Sequence, residues 1–366
     1  MADELELTVN GGIYGGWESV EISRSVETVA GGFRIGVTDR WQGQAQPWPI
    51  RRGDACRLAI NGAVVIEGYV DKVSPALAGD RRVLTITGRD RTADLVDCSA
   101  VHSPGEWAGI GLLRLAQLLC QPFGIDVASD VSLGAPFAKF AIQPGETVWE
   151  ALERACRLRA VLATADGAGG VRLTRAGAGR SADDLRQGEN LLAASADLDM
   201  TRRFSQYLID AQTTGSDYAS GETVAEVRGV ATDAGVPRYR PLLVMAEGTA
   251  DNGVARQRAE WEATVRAARG DSVTATVQGW TQRDGSLWLP NQRVRIVAPW
   301  LRVSGEMLIA GVTYRKRNDE GTTAELQLMR PDALTPEPEV PSGASSGGSG
   351  SQVFADWLGG DSAASD

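Results

Sequence analysis

The chain has 366 residues, 43% hydrophobic and 23% charged, which is ordinary globular material but too long for one comfortable core, so several domains are expected. Its net charge of −10 is uneven: residues 332–366 hold Asp332, Glu337, Glu339, Asp356, Asp361 and Asp366 and neither Lys nor Arg, and the nearly balanced remainder offers no broad basic surface for gripping nucleic-acid phosphates. No apolar run approaches the roughly 18 residues that cross a bilayer, and Met1-Ala2-Asp3-Glu4 lacks the basic and apolar regions of a signal peptide, so a protein made in a cytosol, with no integral membrane segment, is expected.

Strict alternation in Leu5-Glu6-Leu7-Thr8-Val9 and from Ser19 to Val26, around Gly11-Gly12 and Gly15-Gly16, marks the first strands. From Phe33 to Asp90 the chain then runs through Phe33, Ile35 and Val37, Trp41, a Trp48-Pro49 corner, Cys56 to Ile60, Val65 to Val70, read as a strand ending in the glycine Gly68, and Val83 to Arg89. Asn61-Gly62 between two apolar runs fits a two-residue hairpin, because both residues tolerate the positive φ that such a turn requires. Residues 1–98 are read as a small antiparallel β-barrel.

Residues 99–200 read as a small α/β region. Leu112, Leu115, Leu118 and Leu119 recur at helical spacing until Gln121-Pro122-Phe123-Gly124 stops them. Thr147-Val148-Trp149-Glu150 is a capping-box sequence followed by the apolar face Val148, Leu152, Ala155 and Cys156. Val161 to Thr164 and Val171 to Thr174 flank the turn Gly167 to Gly170 as a hairpin. Residues 201–271 connect onward through a strand at Tyr207 to Thr213 and a helix capped by Asp251, with Val254, Trp261, Val265 and Ala268 on one face.

Residues 272–335 repeat the first module. Val273, Ala275 and Val277 are followed by Trp280, Trp288-Leu289-Pro290, Val294 to Val297, Leu308 to Val312, read as a strand ending in the glycine Gly311, and Ala324 to Arg330, so that each copy spans about 58 residues. Small barrels share alternation and glycine turns, so unrelated modules could mimic this. The paired Trp corners argue for a true repeat, with Trp48, Trp288, Trp280, Gly68 and Gly311 as its structural residues. The fold class is therefore mainly β with α/β inserts: two similar small antiparallel β-barrels, small α/β middle domains, and a flexible acidic tail over 336–366. In that tail Pro336, Pro338 and Pro341 precede a Gly/Ser-rich tether at Ser342 to Ser351, and Val353, Phe354, Trp357 and Leu358 form a short apolar anchor for a partner.

Chemistry is sparse. The cysteines Cys56, Cys98, Cys120 and Cys156 have no CxxC spacing and the single histidine, His102, is far from them, so no metal or cofactor is expected and the cysteines read as buried free thiols. His102 lacks a Gly-x-Ser-x-Gly elbow, which leaves no catalytic residue to name. Phe140 to Leu152 resembles the start of a LysM module, a binder of peptidoglycan, but the expected second helix gives way to the Gly167 to Gly170 hairpin. A wall-binding or wall-degrading tail component is thus the alternative reading.

Taken in order, Arg238-Tyr239-Arg240-Pro241, Ala255 to Glu262, Val277-Gln278-Gly279-Trp280, Leu287-Trp288-Leu289-Pro290-Asn291, Leu308 to Tyr314 and Leu326 to Pro331 resemble the baseplate hub proteins of Mu-like contractile-tailed phages. More distantly they resemble the T-even hub and the amino-terminal part of type VI secretion spikes. The resemblance covers about residues 5–335. It implies a structural virion protein, not an enzyme, that forms a homotrimer whose six similar β-barrels ring a channel. It also implies a tail tube protein or distal adaptor on one side, a central spike on the other, further baseplate proteins around it, and DNA passing without specific binding.

Overall fold

The computed structural model describes residues 3–38, 50–78, 81–212, 227–249, 252–317 and 321–337. The amino-terminal alternation becomes β1 (Leu5–Val9), β2 (Gly12–Tyr14), β3 (Ser19–Ser25), β4 (Gly32–Thr38), β5 (Ala55–Ile60), β6 (Ala63–Ala78) and β7 (Arg81–Asp90). Every second residue points inward, as the period of a strand demands: Val20, Ile22, Phe33, Ile35, Cys56, Leu58 and Ile60 are buried. Asn61 and Gly62 adopt φ of 50° and 82° and close the β5–β6 hairpin with Ile60 opposite Ala63.

A separate core underlies α1 (Ala93–Asp97), β8 (Glu106–Ile110), α2 (Leu112–Cys120), β9 (Val127–Ser129), β10 (Phe137–Ala141), α3 (Val148–Arg157), β11 (Leu162–Ala165) and β12 (Val171–Thr174). The capping box forms as its sequence requires. Thr147 Oγ1 accepts from the Glu150 amide at 3.1 Å, and the Glu150 carboxylate accepts from the Thr147 amide at 2.7 Å. Leu112, Leu115 and Leu119 of α2 pack with Val148, Ala151, Leu152 and Ala155 of α3 in this core.

Beyond it come β13 (Gly179–Arg180), β14 (Leu185–Arg186), β15 (Leu191–Leu198), then β16 (Gln206–Gln212), β17 (Val227–Thr232), β18 (Pro241–Thr249) and α4 (Asn252–Arg269). Strands β16 to β18 form a small sheet under α4, with Tyr207 and Ile209 against Ala255 and Ala259. The expected cap Asp251 lies outside the described residues. The chain finishes with β19 (Asp271–Gln278), β20 (Gln292–Ala298), β21 (Val303–Arg317) and β22 (Gly321–Met329).

The duplicated pattern has a duplicated topology. Neighbouring strands run β3-β4-β7-β6-β5 in one unit and β15-β19-β22-β21 with β20 against β21 in the other, antiparallel throughout. The ladders agree in register. Phe33 faces Gly88 where Val273 faces Leu328, and each third strand carries a bulge beside that position, between Val70 and Lys72 or between Ile309 and Gly311.

The two units are not the closed barrels expected. They belong to one 14-stranded sheet, because β3 pairs with β21 instead of closing its own unit. Strand length explains it: β20 covers only Val303 to Leu308 of β21, leaving Gly311 to Arg317 for β3. The second unit also takes in β13 to β15, which the sequence had placed in the α/β middle region.

Gly68 and Gly311 were read as ending their strands, yet both lie inside them and on opposite sides of the bulge. A Cβ on Gly68 would stand 2.0 Å from the Arg89 carbonyl oxygen, whereas one on Gly311 would meet the movable Gln327 side chain first, at 2.9 Å. Gly68→Ala should therefore force β6 from β7 and lower stability by about 2–3 kcal/mol or more. Gly311→Ala should cost clearly less. Denaturant midpoints compare the two, and a wild-type midpoint for Gly68→Ala would refute the close approach.

Candidate functional site: the seam and the open edges

The feature that makes one body of two units is the β3–β21 seam. Seven residue pairs run from Gly311 opposite Ser25 to Arg317 opposite Ser19, and the Val26 amide extends them by donating to the Ala310 carbonyl at 2.8 Å. One face of the seam is core, with Val20, Ile22, Val312 and Tyr314 all buried. The other is polar and carries a charge pair across the joint, Arg315 Nε lying 3.9 Å from Glu21. Arg315 also bonds Glu325 on the neighbouring strand β22.

A buried aromatic group pins the far end of the seam. Trp280 Nε1 donates to the Arg315 and Thr323 carbonyls at 3.0 and 3.1 Å, and its ring meets Tyr314 edge to face at 6.3 Å. The Tyr314 hydroxyl donates to the Trp288 carbonyl, and burial raises its phenol well above the ordinary range. Asp3, ahead of β1, accepts from the Trp280 amide and the Thr322 hydroxyl, both at 2.9 Å. The amino-terminal end of the described chain is thus tied to the second unit.

Where the α/β unit meets both sheet units there is a cavity of about 310 Å3, with Arg24, Asp90, Asp166, Arg172 and Asn291 among its lining. Arg24 donates to the Ala165 carbonyl at 3.3 Å, and Asn291 ties the chain at Arg175 and Gly177 to the β20 start. The buried Asp90 accepts from the Thr92 amide and hydroxyl at 2.9 and 2.8 Å, while burial raises its pKa above the usual carboxylate range. Arg24 and Asn291 thus hold units together, whereas Asp90 bonds locally to Thr92, Asp166 to the Ala168 and Gly170 amides of its own turn, and Arg172 to Asp130 of its own unit.

Of the sequence-derived structural residues, Trp280 and Trp288 are buried in the shared core, while Trp48 lies outside the described residues. So do Val353, Phe354, Trp357 and Leu358. Cys56, Cys120 and Cys156 are buried, with thiols pushed by burial up to about 12, but Cys98 is exposed, because it follows a short helix at the surface instead of facing a core. Among the described residues no cluster of three or more His, Cys, Asp or Glu could hold a metal ion. His102 packs on Trp107 with ring centroids 5.0 Å apart.

Alternation along a strand reveals its faces but not its edge partner, so the sequence pointed to neither the seam nor the open edges of the repeated units. Among the described residues, β15 has no strand outside it, and β6 beyond its bulge pairs only with β7. Both edges are apolar in part. Leu77 is 74% exposed, and Leu192 and Leu198 are 57% and 48% exposed.

Three family descriptions match successive parts of the chain. They are the Mu phage baseplate assembly protein GpP-like amino-terminal domain over residues 4–90, the second domain of gp44-like baseplate hub proteins over 92–175, and the fourth domain of GpP over 251–337. The baseplate hub protein gp44 of Escherichia phage Mu is 36% identical over 341 residues, covering 90% of this chain and 88% of its own. The chain belongs to the Mu-like phage baseplate hub family. This hub protein is thus a structural component of a phage tail. Its fold is similar to that of the 43 kDa tail protein of prophage MuSo2 from Shewanella oneidensis, at TM-score 0.82 and 34% identity over 91% of this chain and 99% of that one. A tail protein from Neisseria meningitidis MC58 shares the fold at TM-score 0.76 and 24% identity, covering 92% and 99%.

Within the hub's aromatic corner, Trp288→Ala should lower stability by about 3–5 kcal/mol by emptying a buried site. Tyr314→Phe, which keeps the ring and removes one hydrogen bond, should cost about 1 kcal/mol. Equilibrium unfolding separates the two, and equal losses would refute this division between packing and hydrogen bonding.

Proposed function

We propose that three copies of this hub chain form a ring in the virion baseplate, assembled in the host cytoplasm, that joins a sixfold tail tube to a threefold spike. The observation that carries it is the second five-strand unit of matching order in the same chain. Three chains would present six nearly alike units, which a hexameric tube can meet without a symmetry mismatch, while the unrepeated α/β parts keep the threefold character a spike needs. DNA would pass along the axis without specific binding, in keeping with a body that has no basic excess. The role is geometric and not catalytic. The peptidoglycan-binding alternative loses ground because Phe140 and Val148 are buried in the α/β core and α3 runs into the β11–β12 hairpin.

Native mass measurement over a concentration series should give three times the 38.8 kDa chain mass, and electron microscopy of the tail should show the same copy number. A dimer or hexamer there would end the proposal.

The acidic tail is proposed as a tethered anchor, since a weak apolar contact gains from the effective concentration its tether supplies. Phe354→Ser combined with Trp357→Ser should leave the hub's own assembly intact and weaken its association with a distal baseplate partner. Unchanged particle yield would reduce the tail to a solvated terminus.

A further inference from the structure

We propose that the distal half of β6 in one copy pairs antiparallel with β15 of a second copy, repeating between chains the β3–β21 seam made within one. The argument is internal. In the duplicated topology β6 stands where β21 stands, and β15 stands where β3 stands. The seam therefore joins one member of each equivalent pair, and among the described residues the other two members, β6 and β15, are the strands of the repeated units left with open edges.

The seam also supplies the register. Gly311 to Arg317 follows its bulge and leads to its hairpin as Lys72 to Ala78 does. Ile22 faces Phe33 as Ala196 faces Val273, and those two partners are equivalent. Since Tyr314 pairs with Ile22, Pro75 falls opposite Ala196. Stepping outward sets Val73 against Leu198, Leu77 against Ala194, and Lys72 against Asp199.

This register matches chemistry on both faces. Val73, Ala194 and Ala196 already pack against the shared core, and the exposed Leu77 and Leu198 would join them on the face where the seam buries Val312 and Tyr314. On the opposite face Lys72 would meet Asp199 directly and Asp197 on the diagonal, an ion pair across the joint as Arg315 and Glu21 form across the seam. A slip of one residue would turn the apolar set to the polar face. Pro75 has no N–H to give, so the joint is at most one rung weaker than its template. A strand edge with exposed leucines invites another chain, and this one fits a copy of itself. The contact is head to tail, so it closes only as a ring. It rests on the proposed hub trimer for the number of copies alone.

Disulfide trapping in the full chain tests it, with Cys98→Ser removing the exposed thiol. Leu77→Cys with Ala194→Cys, and separately Val73→Cys with Leu198→Cys, should give covalent species up to a trimer on mild oxidation. Leu77→Cys with Ala193→Cys, one residue out of register, should give at least tenfold less. Lys316→Cys with Val20→Cys, the equivalent pair in the seam, should close within one chain and so serves as the positive control. Native mass measurement is made on the same unoxidised samples. A trimer in which neither in-register pair cross-links above the shifted control overturns the edge pairing and leaves the hub trimer standing. In-register cross-links in a closed dimer, or in ladders beyond three, keep the edge pairing and overturn the threefold ring. Absence of both association and cross-linking overturns both.

Discussion

Everything in this chain is organised by the backbone pairing of β3 with β21. Hydrogen bonds along an antiparallel strand edge are directional and recur in alternating narrow and wide pairs, so a run of seven paired residues sets distance, twist and register of two units at once. Side-chain packing alone would permit sliding. The aromatic corner at Trp280, Trp288 and Tyr314 then locks one end of that ladder, and the Arg315–Glu21 pair sits on its polar face. The α/β unit is held to this frame through Arg24 and Asn291, groups whose neighbours come from both sheet units.

Much of this was legible in the sequence, for identifiable reasons. Period-2 alternation gave the strands, the Asn61-Gly62 turn follows from backbone sterics, and Thr147 with Glu150 announces a helix start through local hydrogen bonding. Each is a property of residues close in sequence. The aligned copies at Phe33 and Val273 were visible for the same reason, being local patterns seen twice. What escaped was non-local. No feature of Ser19 to Ser25 says that its outer edge belongs to a strand nearly 300 residues away, and barrel closure was inferred from alternating strands and their turns when the length of β21 decided otherwise. Gly68 shows a subtler loss: it reads as punctuation, while its actual constraint is the Arg89 carbonyl of another strand.

The two units are equivalent only in their shared five strands. Outside β5 the first adds β1 antiparallel, whereas outside β20 the second adds β13 and β14 parallel. Duplication has been kept where strands must meet neighbours in a common register and relaxed at the flank, where each unit meets different surroundings. The family's matched segments 4–90 and 92–175 follow the first sheet unit and the α/β insert, while 251–337 covers α4 and β19 to β22 without β13 to β15.

The corner at Asp3 has a consequence for how the chain comes to exist. A ribosome delivers Asp3 and β3 first and Trp280, β21 and Thr322 nearly last, yet these are mutual partners. The amino-terminal unit must therefore wait through most of translation with an unpaired apolar strand edge, and the α/β unit can complete its own core in the interval. Long-range pairing of this kind makes the closing step slow, and exposes the nascent chain to aggregation for as long as it is unfinished. A truncated product ending before β21 would keep that edge bare permanently, which makes full-length synthesis a condition for solubility as well as for shape.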